Sequence, residues 1–251
     1  MKRIGTVRIF FYAFTLLFLS RGYGLQIGDI APDFTANTSK GIINFHDWGK
    51  DKYVLLFSHP LDFTPVCTTE LAAVHNLKNQ LSEMNTLVIG LSVDSVERHQ
   101  KWIGDILSFA KSDEPIFPLI DDGQMEVAKL YGMLGQEAQP SADRTAVDNM
   151  TVRSAFLVGK DKKIKLMIAY PMTTGRNFDE IIRVLKSVQL TDNHNVATPA
   201  NWKPGDDVVV PPSMTASEVE KSFGGLKTVK LPSKEHGHID YLRYVKAPNV
   251  N

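Results

Sequence analysis

"HPLDFTPVCTTE", residues 59–70, contains the only cysteine in a chain of 251 residues. The run before it, "YVLLFS" (53–58), is continuously apolar and predicts a strand buried in a sheet. Thr64 precedes Pro65 in a pattern typical of a helix start, because threonine is a common N-cap and proline suits the first helical position. The stretch therefore predicts a strand, a short loop and a helix with Cys67 in its first turn.

A cysteine in that position is favoured as a thiolate. The first N–H groups of a helix lack partners within it and the helix dipole is positive there, so cysteines at helix N-termini have lowered pKa values. Cys67 is either an inert buried side chain, as free cysteines often are, or a nucleophile. The Pro-x-x-x-Thr-x-x-Cys spacing after a strand favours the nucleophile. A single cysteine excludes an internal disulfide, dithiol chemistry and multi-cysteine metal sites.

Strand-like and helix-like stretches alternate from Leu25 onward. Strands are predicted at 53–58, 86–93, 154–159 and 164–170. Helices are predicted at 65–83, 95–110, 124–131 and 178–189. This alternation indicates an α/β fold in which helices flank a central sheet.

The composition changes after Leu190. The following segment is polar and rich in proline, with a short strand predicted at 208–210, a helix at 217–223 and a terminal strand at 241–245. About 60 residues is small for an independent core. We therefore expect a main domain over 25–190 and an appended subdomain over 191–251.

Residues 1–24 differ from the rest of the chain. Basic residues come first, an apolar run of 11 residues (9–19) follows, and small residues end the segment. This order is typical of a secretory signal peptide, and the apolar run is too short to span a bilayer comfortably. We expect a secreted or secretory-lumen protein without an integral membrane segment in the mature chain. A mitochondrion or another organelle is the alternative.

The charge balance argues against nucleic acid as a partner. The chain has 28 basic and 28 acidic residues, and removal of residues 1–24 would leave 24 basic against 28 acidic. An acidic mature chain lacks the basic surface that nucleic acids require. Asn37 and Asn149 begin glycosylation sequons, which matter only if the chain enters the secretory pathway.

"SHPLDFTPVCTTEL" (58–71) resembles the active-site segment of the one-cysteine class of peroxiredoxins, the peroxiredoxin-6 type. "IGDIAPDFTANTSKG" (27–41), "YPMTTGRNFDEIIRVLKSVQLT" (170–191) and "VATPANWKPGDDV" (196–208) resemble stretches of the same class in the same order. The resemblance extends from Leu25 to the C-terminus. It implies a thioredoxin-like fold with a mixed sheet, a small C-terminal α+β subdomain and a homodimer.

The resemblance also implies a role for each matching residue. Cys67 would attack a peroxide and become a sulfenic acid. Thr64 would hydrogen-bond the thiolate and the peroxide, and Pro60 would shield the site. Arg153 would stabilise the thiolate and the charge on the leaving oxygen. His59 would line the pocket.

Glu70 and Arg176 match polar positions that brace the site in this class. Three of the roles have other readings from the residues themselves. Thr64 could simply cap the helix, or both cap it and assist the reaction, and His59 could be only a hydrogen-bonded turn residue. An arginine in a strand is usually a surface residue, but Arg153 begins an apolar run, where a buried guanidinium needs an anionic partner and a thiolate would provide one.

The class often has a second, lipid-directed activity that uses a serine, a histidine and an aspartate. His46 and Asp161 match two of these positions, but Lys52 stands where the serine is expected. No Gly-x-Ser-x-Gly motif occurs in the chain. We expect phospholipase activity by that route to be absent. A lipid or acyl-ester enzyme and a secreted, non-enzymatic binding protein that has kept the fold are the alternatives to a peroxidase.

The resemblance implies no prosthetic cofactor. Without a second cysteine, the sulfenic acid must be reduced by an external thiol, and the resemblance implies glutathione, with delivery by a glutathione transferase as one route. The substrates would be hydrogen peroxide and organic or lipid hydroperoxides. A secreted protein would meet little reduced glutathione, so the predicted location and the predicted reductant conflict.

Overall fold

The computed structural model describes residues 24–135, 148–232 and 240–248. Its strands in these ranges are β1 (Thr35–Thr38), β2 (Gly41–Asn44), β3 (Tyr53–Ser58), β4 (Thr86–Ser92), β5 (Leu119–Asp121), β6 (Arg153–Val158), β7 (Ile164–Tyr170), β8 (Val208–Val209), β9 (Lys227–Val229) and β10 (Leu242–Val245). The helices are α1 (Phe45–Trp48), α2 (Pro65–Asn76), α3 (Lys78–Glu83), α4 (Val96–Ala110), α5 (Glu126–Leu130), α6 (Phe178–Asn193) and α7 (Ala216–Phe223).

The main sheet is mixed and has the strand order β2-β1-β5-β4-β3-β6-β7. β3 pairs in parallel with β4 and antiparallel with β6, so Leu55 lies opposite both Val88 and Leu157. All six residues of β3 and of β6 are buried. Central strands covered on both faces need continuous apolar runs, which explains the sequence pattern.

Hydrophobic cores lie on both faces of this sheet. Leu55 and Phe57 belong to one core, which includes residues of α2, α4 and α6. Val54 and Leu56 belong to the other core, on the opposite face. Successive side chains of a strand point to opposite faces, so β3 supplies both cores. The predicted α/β fold with helices flanking a mixed sheet is confirmed.

The predicted helix over 65–83 is wrong as a single element. It divides into α2 and α3 at Leu77, whose φ of −89° and ψ of −1° depart from ideal helical values. The N–H of Leu77 bonds to the carbonyl of Val74, three residues earlier. Strands β1, β2 and β5 were not predicted, because three or four residues carry too little periodicity.

The C-terminal segment has a core of its own. β8, β10 and β9 form a three-stranded antiparallel sheet, and α7 begins with a capping box between Thr215 and Glu218. Trp202, Val219 and Val245 are buried there together with Leu190 from α6. The end of α6 thus contributes to this small core, and the helix continues to Asn193 rather than ending at the predicted residue 189.

Two predictions concern parts of the chain that the structure does not cover fully. The proposed signal segment lies outside the described residues except for Gly24. Among the described residues, no helix is both long and apolar enough to cross a membrane.

Of the two sequon asparagines, Asn37 is exposed in β1, whereas Asn149 is only 5% exposed.

Candidate active site

Cys67 is the third residue of α2 and has no exposed surface. β3 ends at Ser58, a short loop follows, and α2 starts at Pro65 as predicted. Thr64 has the extended backbone of an N-cap, but its hydroxyl donates to the carbonyl of Leu61 at 2.9 Å and makes no capping bond. The predicted N-cap position is confirmed, and the predicted side-chain cap is wrong.

Arg153 brings a guanidinium to the cysteine from the first position of β6. Its Nη1 lies 3.4 Å from Cys67 Sγ and 2.7 Å from Glu70 Oε2. Its Nε donates to the carbonyl of Met172 at 2.8 Å. The residue is 3% exposed, so the anionic partner that the sequence required is present as Glu70, with the Cys67 sulfur beside it.

Glu70 joins two arginines to the first turn of α2. Its Oε1 accepts from the backbone N–H and the Nε of Arg176 at 2.7 and 2.9 Å. Its Oε2 accepts from Arg176 Nη2 at 2.9 Å as well as from Arg153. Burial favours the neutral acid, but the hydrogen bonds and charge of Arg176, followed by the charge of Arg153, lower the pKa of Glu70.

The charges of this cluster do not balance without the sulfur. Two buried guanidinium groups face one carboxylate, which leaves one positive charge in surroundings where a net charge is costly. An anionic Cys67 sulfur, in contact with Arg153, would neutralise it. Arg153 thus holds a positive charge beside the sulfur.

His59 and Pro60 form the buried start of the loop between β3 and α2. The N–H of His59 donates to the carbonyl of Leu91, and its carbonyl accepts from the Thr151 hydroxyl at 2.8 Å. Its ring lies 5.2 Å from that of Trp102, centre to centre. Trp102 in turn donates to the hydroxyl of Thr68 in α2 at 3.3 Å. Trp102 thus connects His59 to the helix that carries the cysteine. Among the described residues, His59 makes no direct hydrogen bond to Cys67.

Sequence reasoning missed Asp62 and His99. Asp62 accepts from the ring of His59 at 2.8 Å and contacts the ring of His99 at 2.7 Å. His99 lies on the apolar face of α4 with Trp102 and Ile106, and all three are fully buried. A histidine at an apolar position of an amphipathic helix was the available signal, because a buried imidazole needs a polar partner.

The three positions compared with a lipid-directed triad make separate interactions. His46 Nε2 lies 2.8 Å from the carbonyl of Ala31. Lys52 donates to Asn85 Oδ1 at 2.6 Å, and Asp161 pairs with Lys165 at 3.1 Å. No hydrogen bond connects His46, Lys52 and Asp161 to one another among the described residues.

Comparison with protein families decides the assignment. Residues 27–167 match the model of the AhpC/TSA family, and residues 187–225 match the C-terminal domain of 1-Cys peroxiredoxin. The chain belongs to the one-cysteine peroxiredoxins. It is therefore a peroxidase, and Cys67 is the only cysteine it has for that reaction.

Individual relatives agree with this assignment. Human Peroxiredoxin-6 is 47% identical over 230 residues, which cover 90% of this chain and 99% of that protein. The structure of a cysteine-to-serine mutant of Peroxiredoxin 6 from Arenicola marina matches with a TM-score of 0.82 and 39% identity, covering 90% of this chain and 99% of that one. A yeast mitochondrial 1-Cys peroxiredoxin, solved to explain thiol resolution via glutathione/thioredoxin systems, matches with a TM-score of 0.77 and 44% identity over 88% of this chain and 99% of its own. The thioredoxin-like peroxiredoxin fold is thus confirmed.

Proposed function

We propose that Cys67 is the nucleophile of this peroxidase. Its thiolate attacks one oxygen of a peroxide, the O–O bond breaks, and the sulfur becomes a sulfenic acid. The second oxygen leaves as hydroxide or alkoxide and takes up a proton to give water or an alcohol. The observation that supports this most strongly is the 3.4 Å contact between Arg153 and the Cys67 sulfur inside a cluster that lacks one negative charge.

The neighbouring residues support distinct parts of that step. Arg153 is placed to donate to the sulfur and to the negative charge that develops on the leaving oxygen. Thr64 gives its hydroxyl proton to Leu61, so its oxygen remains an acceptor for a peroxide O–H. Pro60 is buried beside His59 and helps to exclude water from the site. Glu70 and Arg176 hold Arg153 in place.

The product tests this proposal directly. One equivalent of hydrogen peroxide should add a single oxygen atom to the peptide that contains Cys67, and a sulfenic-acid trapping reagent should label the same peptide. The Cys67→Ser variant should gain neither oxygen nor label. Labelling of the variant, or no labelling of the wild-type chain, would overturn the assignment.

An external thiol of the glutathione type completes the cycle. The chain has no second cysteine, and a yeast relative is described with glutathione and thioredoxin systems. Because Cys67 has no exposed surface, the first turn of α2 must open before a thiol of that size reaches the sulfur. Turnover should therefore be measured with glutathione, with and without a glutathione transferase, and with thioredoxin in parallel. Turnover with thioredoxin alone would exclude glutathione as the reductant.

The outer edge of β7 favours a homodimer. Ile164 at its start exchanges hydrogen bonds with Gly28 and Asp29, but the rest of the strand has no backbone partner on that side among the described residues. β7 is an edge strand of seven residues, and most of its apolar side chains are only partly buried. Such an edge presents free N–H and C=O groups that another strand can pair with. A second copy of β7, running antiparallel about a two-fold axis, would pair with it and cover its apolar side chains.

The N-terminal segment fits a targeting role. Residues 1–24 have the basic, apolar and small residues of a leader, and one solved relative is mitochondrial. The comparisons give no support to a secreted destination, and a glutathione-dependent enzyme requires a compartment that contains this thiol. We therefore favour an organelle. Import of a fluorescent fusion of residues 1–24 into mitochondria, as opposed to its secretion, is the test.

A further inference from the structure

His59, Asp62 and His99 form a buried network that begins in the loop between β3 and α2. None of the three has exposed surface. Asp62 lies between the two rings, with Oδ1 2.8 Å from His59 Nε2 and Oδ2 2.7 Å from His99 Nδ1. The two ring centres are 6.2 Å apart.

The hydrogen-bond partners assign the protons of this network. His99 Nε2 lies 3.0 Å from the carbonyl of Ile120, which only accepts, so Nε2 carries a proton. Asp62 as a carboxylate accepts from His99 Nδ1 and from His59 Nε2. His99 is then an imidazolium and His59 a neutral ring with its proton on Nε2. The negative charge of Asp62 and the positive charge of His99 cancel inside the protein.

The surrounding charges are compatible with this assignment. Asp94 accepts from the backbone N–H of Asp62 at 2.8 Å and pairs with Arg98 at 2.6 Å. Burial opposes the charge on Asp62, but hydrogen bonds from both histidines hold its pKa at about 2. Burial also opposes the charge on His99, but Asp62 outweighs it and raises the pKa of His99. Burial dominates at His59 and lowers the pKa of that ring.

This arrangement leaves one polar atom without a protein partner. With the proton on Nε2, His59 Nδ1 has a lone pair, and this fully buried atom has no hydrogen-bond partner among the described residues. A buried acceptor without a partner is destabilising. His59 lies in the loop between β3 and α2 and packs against Trp102, which also contacts α2. An acceptor in that place is suited to a ligand that donates a hydrogen bond.

We propose that Asp62 and His99 are positioning residues that hold His59 as its Nε2–H tautomer, so that His59 Nδ1 accepts a hydrogen bond from the O–H of the bound peroxide. This proposal rests on the proposed attack by Cys67. The hydrogen bond orients the peroxide, and the proton stays on the attacked oxygen, which becomes the hydroxyl of the sulfenic acid. His59 therefore does not change its protonation state in the step.

The tautomer can be observed without any substitution. Long-range proton–nitrogen correlation spectra of the full chain with ¹⁵N-labelled histidine report which ring nitrogens carry protons. At pH 7 we expect His59 to be protonated only on Nε2 and His99 to be protonated on both nitrogens. A proton on His59 Nδ1, or a neutral His99, would overturn the proposal.

Kinetics of His99→Gln test the function of the network. Without the imidazolium, the carboxylate of Asp62 faces His59 alone, so the pKa of His59 rises. At low pH His59 Nδ1 then carries a proton and cannot accept a hydrogen bond. In the pH profile of the rate constant for hydrogen peroxide, the fall on the acidic side should occur about one pH unit higher than in the wild-type chain. At high pH the rate constant should return to the wild-type value. His75→Gln removes another buried histidine, which contacts Ser112, and should leave the profile unchanged.

A double variant separates positioning from general damage. If His99 acts through His59, adding His99→Gln to His59→Phe should not change the pH profile further. An equal loss of rate at every pH, or an additional shift in the double variant, would overturn the proposal. Failure of the wild-type chain to react faster than a free thiol would instead contradict the role of Cys67.

Discussion

At the scale of single residues, Glu70 determines the geometry of the site. One carboxylate accepts four hydrogen bonds from Arg153 and Arg176, and it lies one helical turn after Cys67. Removing one partner of a buried ion pair is far more costly than removing an exposed one, because the remaining charge is left without water or a partner.

Glu70→Gln should therefore lower both stability and rate. Two guanidinium groups would remain buried without a carboxylate, so we expect a loss of about 3–5 kcal/mol in the free energy of unfolding, measured in urea. Glu180→Gln is the matched control, since Glu180 pairs with Arg183 at 2.6 Å but its side chain is 44% exposed. That variant should lose at most about 1 kcal/mol. Equal losses in the two variants would contradict the account of the cluster.

Arg153→Gln tests the charge beside the sulfur. The amide keeps a donor but not the positive charge, so the rate constant for hydrogen peroxide should fall by about 10²–10³-fold. Arg183→Gln, which removes a half-buried guanidinium outside the cluster, should leave the rate constant unchanged. Stopped-flow fluorescence measures both variants. A loss of less than tenfold in Arg153→Gln would exclude a direct role for the guanidinium.

At the scale of elements, the strand β3 and the start of α2 were predictable, whereas the residues that complete the site were not. Apolar runs and the Thr64-Pro65 pair are local signals, and they placed Cys67 correctly in the first turn of α2. Arg153 reaches Cys67 because β6 pairs with β3. This pairing joins residues that are far apart in the sequence, and hydrophobic periodicity does not predict it. The resemblance to a family supplied that residue. It did not supply His99, because the network it forms depends on how α4 packs.

The edge strand β7 allows a test of the proposed dimer. Ala169 is exposed on β7, so Ala169→Glu would place a charge inside an antiparallel pair of β7 strands, where its burial is costly, without disturbing the core. We expect sedimentation to show a shift from dimer to monomer. Ile42→Glu is the matched control, since Ile42 is 78% exposed on β2 at the other edge of the same sheet. A dimer that survives Ala169→Glu and dissociates in Ile42→Glu would place the interface at β2.

At the scale of the whole molecule, the main sheet and a small C-terminal unit share the helix α6. We infer that residues 191–251 form the appended subdomain, because β8, β9, β10 and α7 enclose a separate core. The change in composition after Leu190 marked this unit in the sequence. The sequence did not predict its contact with α6. The helix extends to Asn193, past its predicted end, and supplies Leu190 to that core.

Stability against acid should report the buried Asp62. Its pKa is about 2 in the folded chain and about 3.9 in an unfolded one. The stabilisation is therefore fully present above pH 4 and is lost as the pH falls from about 4 to about 2. The lowered pKa of Glu70 acts in the same direction. Unfolding free energies measured across this range should decline less steeply in Asp62→Asn than in the wild-type chain, and equal slopes would contradict the ion pair with His99.

The most direct test of the central claim is the single-turnover reaction of residues 25–251 with hydrogen peroxide, followed by tryptophan fluorescence. If the cluster around Arg153 and Glu70 activates Cys67, the rate constant should reach the order of 10⁴ M⁻¹s⁻¹ or more, far above that of a free thiol. The fluorescence change should be absent in Cys67→Ser. A rate constant no higher than that of a free thiol would contradict the claim and would mean that this chain keeps the fold without the chemistry.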